Sequence, residues 1–232
     1  MPRIFITGDT HIPIDIKKLS TKNWEEQKNL TGDDYLIIAG DFGLLWDAVE
    51  TREEKYWTKW LNNKKFTTLF IDGNHENFTR LNRLEKTSFL GGKVGVVSNS
   101  IFYLQRGEIY SINKKKFLTI GGAHSHDIEH RTEGLSWWKE EEINEDEKKH
   151  TIKNLEKHNY EVDYIVAHTL PESLTRYLGY RDDFYPDPCK VRVFLDEVVL
   201  KTKFDDFYCG HFHEDKDFKK YHILYDRIVE IK

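Results

Sequence analysis

The chain has 232 residues, 14% of them aromatic, and a net charge of −5 with both signs spread throughout. That length allows one large domain or two small ones around a well-buried core, and the aromatic content excludes disorder over most of it. The acidic balance argues against a broad electrostatic footprint for nucleic acid, although a local basic cleft stays open.

No apolar stretch approaches the roughly 18 residues that span a bilayer, and the N-terminus enters a strand at once with no signal-peptide pattern. Cys189 and Cys209 sit in no metal or redox spacing, so the expectation is unpaired thiols in a reducing cytoplasm.

Three apolar runs read as buried strands in the first half: Ile4-Phe5-Ile6, Tyr35–Ala39 and Thr68–Ile71. Between them, residues 15–29 (Asp15 to Asn29) and 44–62 (Leu44 to Asn62) are expected to be helical. In the second stretch Leu45, Val49, Tyr56, Trp57 and Trp60 recur at roughly helical spacing and are assigned to the face on the sheet. A short helix from about Asn77 to Leu84 follows.

From Gly91 to Gly122 the pattern turns Gly-punctuated and strand-like, with runs at Val94–Val97, Ser100–Leu104, Glu108–Tyr110 and Lys116–Ile120. Gln105-Arg106-Gly107 and Asn113-Lys114 read as turns, and the whole as antiparallel pairing that adds a second sheet. The charge run within Glu140–Asn159 reads as the solvated face of a helix, with Ile143, Ile152 and Leu155 turned inward. Tyr164–Ala167 is a fourth buried strand. Pro171, Pro186 and Pro188 bracket a loop region, Lys190–Leu200 reads as a helix, and Phe204–Lys232 as two or three short strands. With no linker, repeat or low-complexity tract, residues 1–232 are taken as one domain.

Five short motifs carry chemistry: Asp9-Thr10-His11, Gly40-Asp41, Gly73-Asn74-His75-Glu76, His168 and Gly210-His211-Phe212-His213. Each of the first four follows an apolar strand, and open α/β sheets place their sites at such carboxyl ends. Asp9 and His11 are two apart, which on an extended strand end puts both side chains on one face. An oxygen and a nitrogen ligand on one face form a half-site for a first-row metal. Asp41 reads as a bridging carboxylate, with Gly40 giving the backbone room. Asn74 offers an amide oxygen to a second ion, and His75 lies beside the metals, able to donate a proton to a leaving oxygen. His211 and His213, again two apart, would present both rings to one side.

In this order the motifs resemble those of the calcineurin-like metallophosphoesterase superfamily, from Asp9 to His213. The resemblance implies an α/β fold (α+β type four-layer sandwich): two mixed β-sheets flanked by helices, with a dinuclear metal site at strand ends. It implies that Asp9, His11, Asp41 and His213 hold the first ion, and Asp41, Asn74, His168 and His211 the second. His75 would contact the scissile phosphoryl oxygen or protonate the leaving group. The implied activity is hydrolysis of a phosphomonoester or phosphodiester by attack of a metal-bridging hydroxide, with Asp41 and His75 as catalytic residues. Two divalent ions are the expected cofactors: the mixed ligation suits manganese, iron or zinc, with manganese favoured.

The serine/threonine phosphatase branch of that family carries Asp and Arg three and four residues after the Gly-Asp aspartate; here Leu44 and Leu45 stand there. Attention therefore moves to residues 121–138. Asn74, His124, Arg131 and Trp137 are assigned as substrate contacts, Arg131 replacing the missing phosphate clamp and Trp137 stacking on a base or aromatic leaving group. The competing reading is a solvated loop with Trp137 capping a core. Arg176, Arg181 and Tyr185 are rival phosphate contacts. The expected partner is a phosphorylated small molecule or nucleotide; nucleic acid is not favoured and no membrane is involved. A nuclease acting on RNA or DNA ends is the alternative activity, and a non-catalytic scaffold a further one.

Overall fold

The computed structural model describes residues 1–180 and 189–232; Arg181, Tyr185, Pro186 and Pro188 lie outside them. Apolar runs from distant parts of the chain assemble into two mixed sheets. The first contains β1 (Ile4–Thr7), β2 (Tyr35–Ile38), β3 (Thr67–Phe70), β4 (Glu85–Phe89), β5 (Gly92–Ser98) and β6 (Ile101–Leu104). A last strand, β13 (Val229–Ile231), completes it, in the order β13-β1-β2-β3-β6-β5-β4. The second, ordered β11-β12-β10-β9-β8-β7, contains β7 (Ile109–Ile112), β8 (Lys115–Ile120), β9 (Tyr164–Ala167), β10 (Asp206–Cys209), β11 (Lys216–Phe218) and β12 (Tyr221–Ile223).

Strands β1, β2, β3 and β6 run parallel, as do β8, β9, β10 and β12. Both faces of β1, β2, β3 and β9 are covered, which is why they read as continuous apolar runs rather than alternating ones. Between the sheets lie Ile6, Ile37, Leu69 and Ile71 from the first and Tyr110, Phe117, Tyr164 and Val166 from the second. The outer face of the first sheet packs Leu36, Ile38 and Phe70 against Ile16, Leu19 and Leu61. The second packs Leu118, Ile165 and Phe207 against Leu155, Val191 and Leu195. Two sheets with helices on both outsides make the expected four layers.

The helices are shorter than their sequence windows. Residues 15–29 form two 3-10 turns, Ile16–Leu19 and Glu25–Asn29. Between them Asn23 bonds back to Ser20 Oγ and to the Lys17 carbonyl, the local competition that stops a helix. Residues 44–51 are also not helical. Helix α1 (Arg52–Asn62) begins where Thr51 Oγ1 accepts the Glu54 N–H, and Trp57, Trp60 and Leu61 pack inward. Leu45 is buried ahead of the helix, whereas Val49 and Tyr56 are exposed, contrary to the face assigned to them.

Helix α2 (Phe78–Leu81) is followed at once by the exposed edge strand β4, which sequence reading did not resolve. Helix α3 (Glu145–Lys157) starts at an Asn144–Glu147 capping box, and Ile143 and Leu155 are buried as expected, with Ile152 packed against them. Helices α4 (Glu172–Tyr177) and α5 (Lys190–Lys201) precede the last strands.

The Gly91–Gly122 region is divided between the sheets: β5 and β6 extend the first, and the chain crosses at Gln105–Gly107 to start the second with β7 and β8. Asn113 and Lys114 both have positive φ, the two-residue hairpin turn expected there. The C-terminal stretch holds four strands rather than two or three, because β13 returns to pair with β1. No helix among the described residues is long and apolar enough to cross a membrane.

Candidate metal centre

Because β1, β2 and β3 are parallel and in register, the loops that follow them leave the same edge of the sheet. These loops carry Asp9 and His11, Asp41, and Gly73–Glu76. From the second sheet, parallel β9 and β10 deliver His168, His211 and His213 to the same place. The convergence does not come from strand alternation. His11, Asp41, His211 and His213 lie beyond the strand ends with φ of 33°, 48°, 72° and 50°, all left-handed. Such conformations cost roughly 1–3 kcal/mol each for non-glycine residues and concentrate at functional sites.

Specific contacts hold the turns. Thr10 and His11 donate their N–H groups to the Asp41 carbonyl at 3.0 and 2.9 Å, and Phe42 N–H donates to Glu76 Oε1 at 2.7 Å. Both Asp9 carboxylate oxygens face the His211 N–H, at 3.0 and 3.1 Å. A Cβ on Gly73 would lie 2.0 Å from Asp41 Oδ1, and one on Gly210 2.0 Å from Asp9 Oδ1, so only glycine admits the two carboxylates.

Asp9, Asp41, Asn74 and His168 are buried, and the ligand-capable atoms crowd together. Asp41 Oδ2 is 3.1 Å from His11 Nε2, while its Oδ1 is 3.4 Å from His168 Nε2 and accepts the His75 N–H at 2.7 Å. His213 Nε2 is 3.2 Å from Asp9 Oδ2. Asn74 Oδ1 is 3.2 Å from His168 Nε2 and 3.0 Å from His211 Nδ1. Asp9, His11 and His213 form one group able to hold a cation, and His11, Asp41 and His75 another, with ligand atoms within 4.8 Å of one another. The outer ring nitrogens are tied down: His11 Nδ1 to Asp15 at 2.9 Å and His168 Nδ1 to the Ala39 carbonyl at 2.8 Å. Partners of this kind fix ring orientation in metal sites.

The electrostatics show what the site wants. Burial alone would lower the pKa of His11 and of His168, yet Asp41 and Asp9 outweigh it and raise each to about 9. Asp41, although buried, is held well below the carboxylate range by His168 and His11. These two imidazoles therefore retain protons where positive charge is demanded, and a cation binding there would displace them. Buried carboxylates, an amide oxygen and imidazoles facing one another suit first-row divalent ions, so the residues fit the expected metals.

His75 lies at the edge of this cluster, its ring centroid 5.5 Å from that of His11 and 6.2 Å from that of Trp46. Burial lowers its pKa, opposed by Asp41 and reinforced by Arg131. Arg131 does reach the centre, Nη1 lying 3.3 Å from His75 Nδ1. For two other assigned contacts no such approach is seen among the described residues. His124 turns to Glu142, 3.1 Å away, and Trp137 is half-buried in its own turn, with no ring contact to the centre among the described residues. Arg176 pairs with Glu172 on exposed α4.

Sequence reading missed several contributors. Asp15, four residues after His11, had a readable spacing, and Glu76 stood inside a motif. Arg192 of α5, buried with Nη2 3.3 Å from His211 Nε2, gave no local signal. Nor did buried Lys18, which donates to the Asp9 carbonyl at 2.5 Å and to the Tyr225 carbonyl.

No curated protein matches the chain. The sequence pattern of one family, described as calcineurin-like phosphoesterase, matches residues 2–215, a span that includes every motif above. The chain therefore belongs to the calcineurin-like phosphoesterases, metal-dependent hydrolases of phosphoesters.

Proposed function

We propose that this chain, as one catalytic domain, hydrolyses a small phosphoester at a centre of two divalent cations. Asp9, His11, Asp41 and His213 hold the first, and Asp41, Asn74, His168 and His211 the second. The observation that carries this reading is Asp41 itself: one buried carboxylate turns Oδ2 to His11, of the first proposed ligand set, and Oδ1 to His168, of the second. Cations bound there would supply positive charge and Lewis acidity to the phosphoryl group. Manganese suits this mixed oxygen and nitrogen set and is the first metal to test.

The remaining work falls to side chains around the centre. Arg131 takes a phosphoryl oxygen, in the role that Leu44 and Leu45, both buried, cannot fill. His75 handles the leaving-group proton. Burial and the neighbouring guanidinium keep its pKa low. An anionic phosphate that pairs with Arg131 offsets that charge, so His75 gains the proton it then gives to the leaving oxygen. Substrates are phosphorylated small molecules or nucleotides, mono- or diester. The two free, buried thiols, Cys189 and Cys209, suit a reducing cytoplasm.

The test is a panel of p-nitrophenyl phosphate, bis-p-nitrophenyl phosphate and short oligonucleotides with added Mn²⁺, on the wild type and on His75→Ala. Turnover of the small esters is expected, with His75→Ala keeping both metals by elemental analysis and losing most of its rate. Turnover of oligonucleotides alone would move the assignment to a nuclease. No turnover of any substrate, or full turnover by the variant, would overturn the reading.

A further inference from the structure

An asparagine can serve as a metal ligand only if its amide points the right way. The oxygen and nitrogen ends of the side chain are nearly the same size, and only the oxygen has a lone pair to offer. Asn74 presents Oδ1 to His168 and His211, and its Nδ2 donates to Ser125 Oγ at 3.1 Å. Asn74 is 4% and Ser125 1% exposed, so water does not compete for either group.

A hydroxyl can donate as well as accept, and by itself Ser125 would tolerate the amide in either orientation. The choice depends on where the Ser125 hydroxyl hydrogen goes. Beside it lies the carboxyl of Glu141, buried at 1% exposure. Among the described residues neither carboxyl oxygen makes a well-formed hydrogen bond, and the Ser125 hydroxyl and the Trp138 backbone N–H are donors that face it. Protonated or ionised, a buried carboxyl so short of donors keeps an acceptor oxygen that takes the serine hydrogen. The Ser125 lone pairs are then left for the amide N–H of Asn74, and the reversed amide would set oxygen against oxygen.

We propose that Ser125, oriented by Glu141, is a positioning residue that fixes the Asn74 amide and thereby sets the affinity of the second cation position. The inference rests on the reading of Asn74 as a metal ligand. It also accounts for the Gly121–Ser125 segment, which runs into the centre just ahead of His126, whose ring stacks on that of His211 at 6.0 Å between centroids. Gly122 N–H donates to the Asp72 carbonyl at 3.0 Å, which brings the segment alongside the Gly73–Glu76 turn.

The experiment is calorimetric titration of Mn²⁺ into chelator-stripped protein, wild type beside Ser125→Ala, Ser125→Cys and Asn74→Ala, with the Mn²⁺ activation curve of each. Ser125→Ala is expected to weaken one of two binding steps roughly five- to tenfold, the worth of one buried hydrogen bond. The other step should be unchanged, and saturating Mn²⁺ should restore kcat to within about twofold. A general loss of packing would move both steps and would not be rescued by metal. Ser125→Cys keeps a γ atom of slightly larger size as a weaker acceptor and should weaken the same step less, which supplies the test if the alanine variant does not fold. Retention of both cations by Asn74→Ala would sink the ligand reading itself. Loss of one cation by Asn74→Ala, with wild-type binding by the Ser125 variants, would overturn the positioning role alone.

Discussion

The Arg131 guanidinium faces both ring nitrogens of His75, Nη1 3.3 Å from Nδ1 and Nη2 3.5 Å from Nε2. Its Nε is held 2.7 Å from Asp127 Oδ1, and Nη1 also donates to the Ser136 carbonyl at 3.2 Å. The segment after β8 thus lays a planar cation against His75, at the edge of the ligand cluster.

Arg131→Ala should therefore lower kcat/KM roughly 10- to 100-fold, the usual worth of a charge-assisted contact to phosphate. Arg131→Lys should recover only part, because an ammonium cannot reproduce the two-pronged geometry. Mn²⁺ stoichiometry should be unchanged in both. Steady-state kinetics on p-nitrophenyl phosphate decide the matter: wild-type kcat/KM in Arg131→Ala would remove the residue from substrate binding.

A second prediction concerns the anchor beneath the Gly73–Glu76 turn. Asp72 is fully buried, accepts from Arg106 Nε and Nη2 at 2.8 and 2.6 Å, and takes the Tyr103 hydroxyl at 2.8 Å. Arg106 also donates to the Glu140 carbonyl at 2.7 Å, joining this turn to the chain leading into α3. Removing one partner leaves an uncompensated buried charge, which costs about 3–5 kcal/mol. For a chain of this length, Arg106→Met should lower Tm by roughly 10 °C. The double variant Asp72→Asn, Arg106→Met should regain part of that loss. Additive losses in thermal denaturation would show that the two side chains do not act as a pair.

Much of this was legible before folding. The parallel strands announced themselves as unbroken apolar runs, and the motifs after them named the residues that meet at the centre. What stayed hidden depended on local competition or long-range contact. Residues 44–50 carry an apolar pattern compatible with a helix, but the Thr51 cap sets the start of α1 later. The His11 and His213 side chains reach the centre through left-handed turns, not through the pleat that their two-residue spacings suggested. Arg192, Lys18 and Glu141 act through partners far along the chain or through burial, and no spacing rule connects them to the site. His124 looked equal to Arg131 in sequence; only the fold turns one toward Glu142 and the other toward His75.

Glu141 makes a pH-dependent prediction for chelator-treated protein. Burial, opposed by Ser125, the Trp138 N–H and Arg131 and aided by Asp41, raises its carboxyl from an ordinary 4.5 to about 8. Between those values the folded chain keeps a proton that the unfolded chain has released. Stability must then fall as pH rises through that window, with no contribution below it and the full cost above about 8. Glu141→Gln keeps the shape and cannot ionise, so its Tm should track the wild type near pH 4.5 and rise progressively above it toward pH 8, then hold a constant gap. Comparing the two proteins cancels the titration of groups they share. Thermal denaturation from pH 4.5 to 9 makes the comparison, and parallel Tm curves would mean that the Glu141 carboxyl ionises as it does in water.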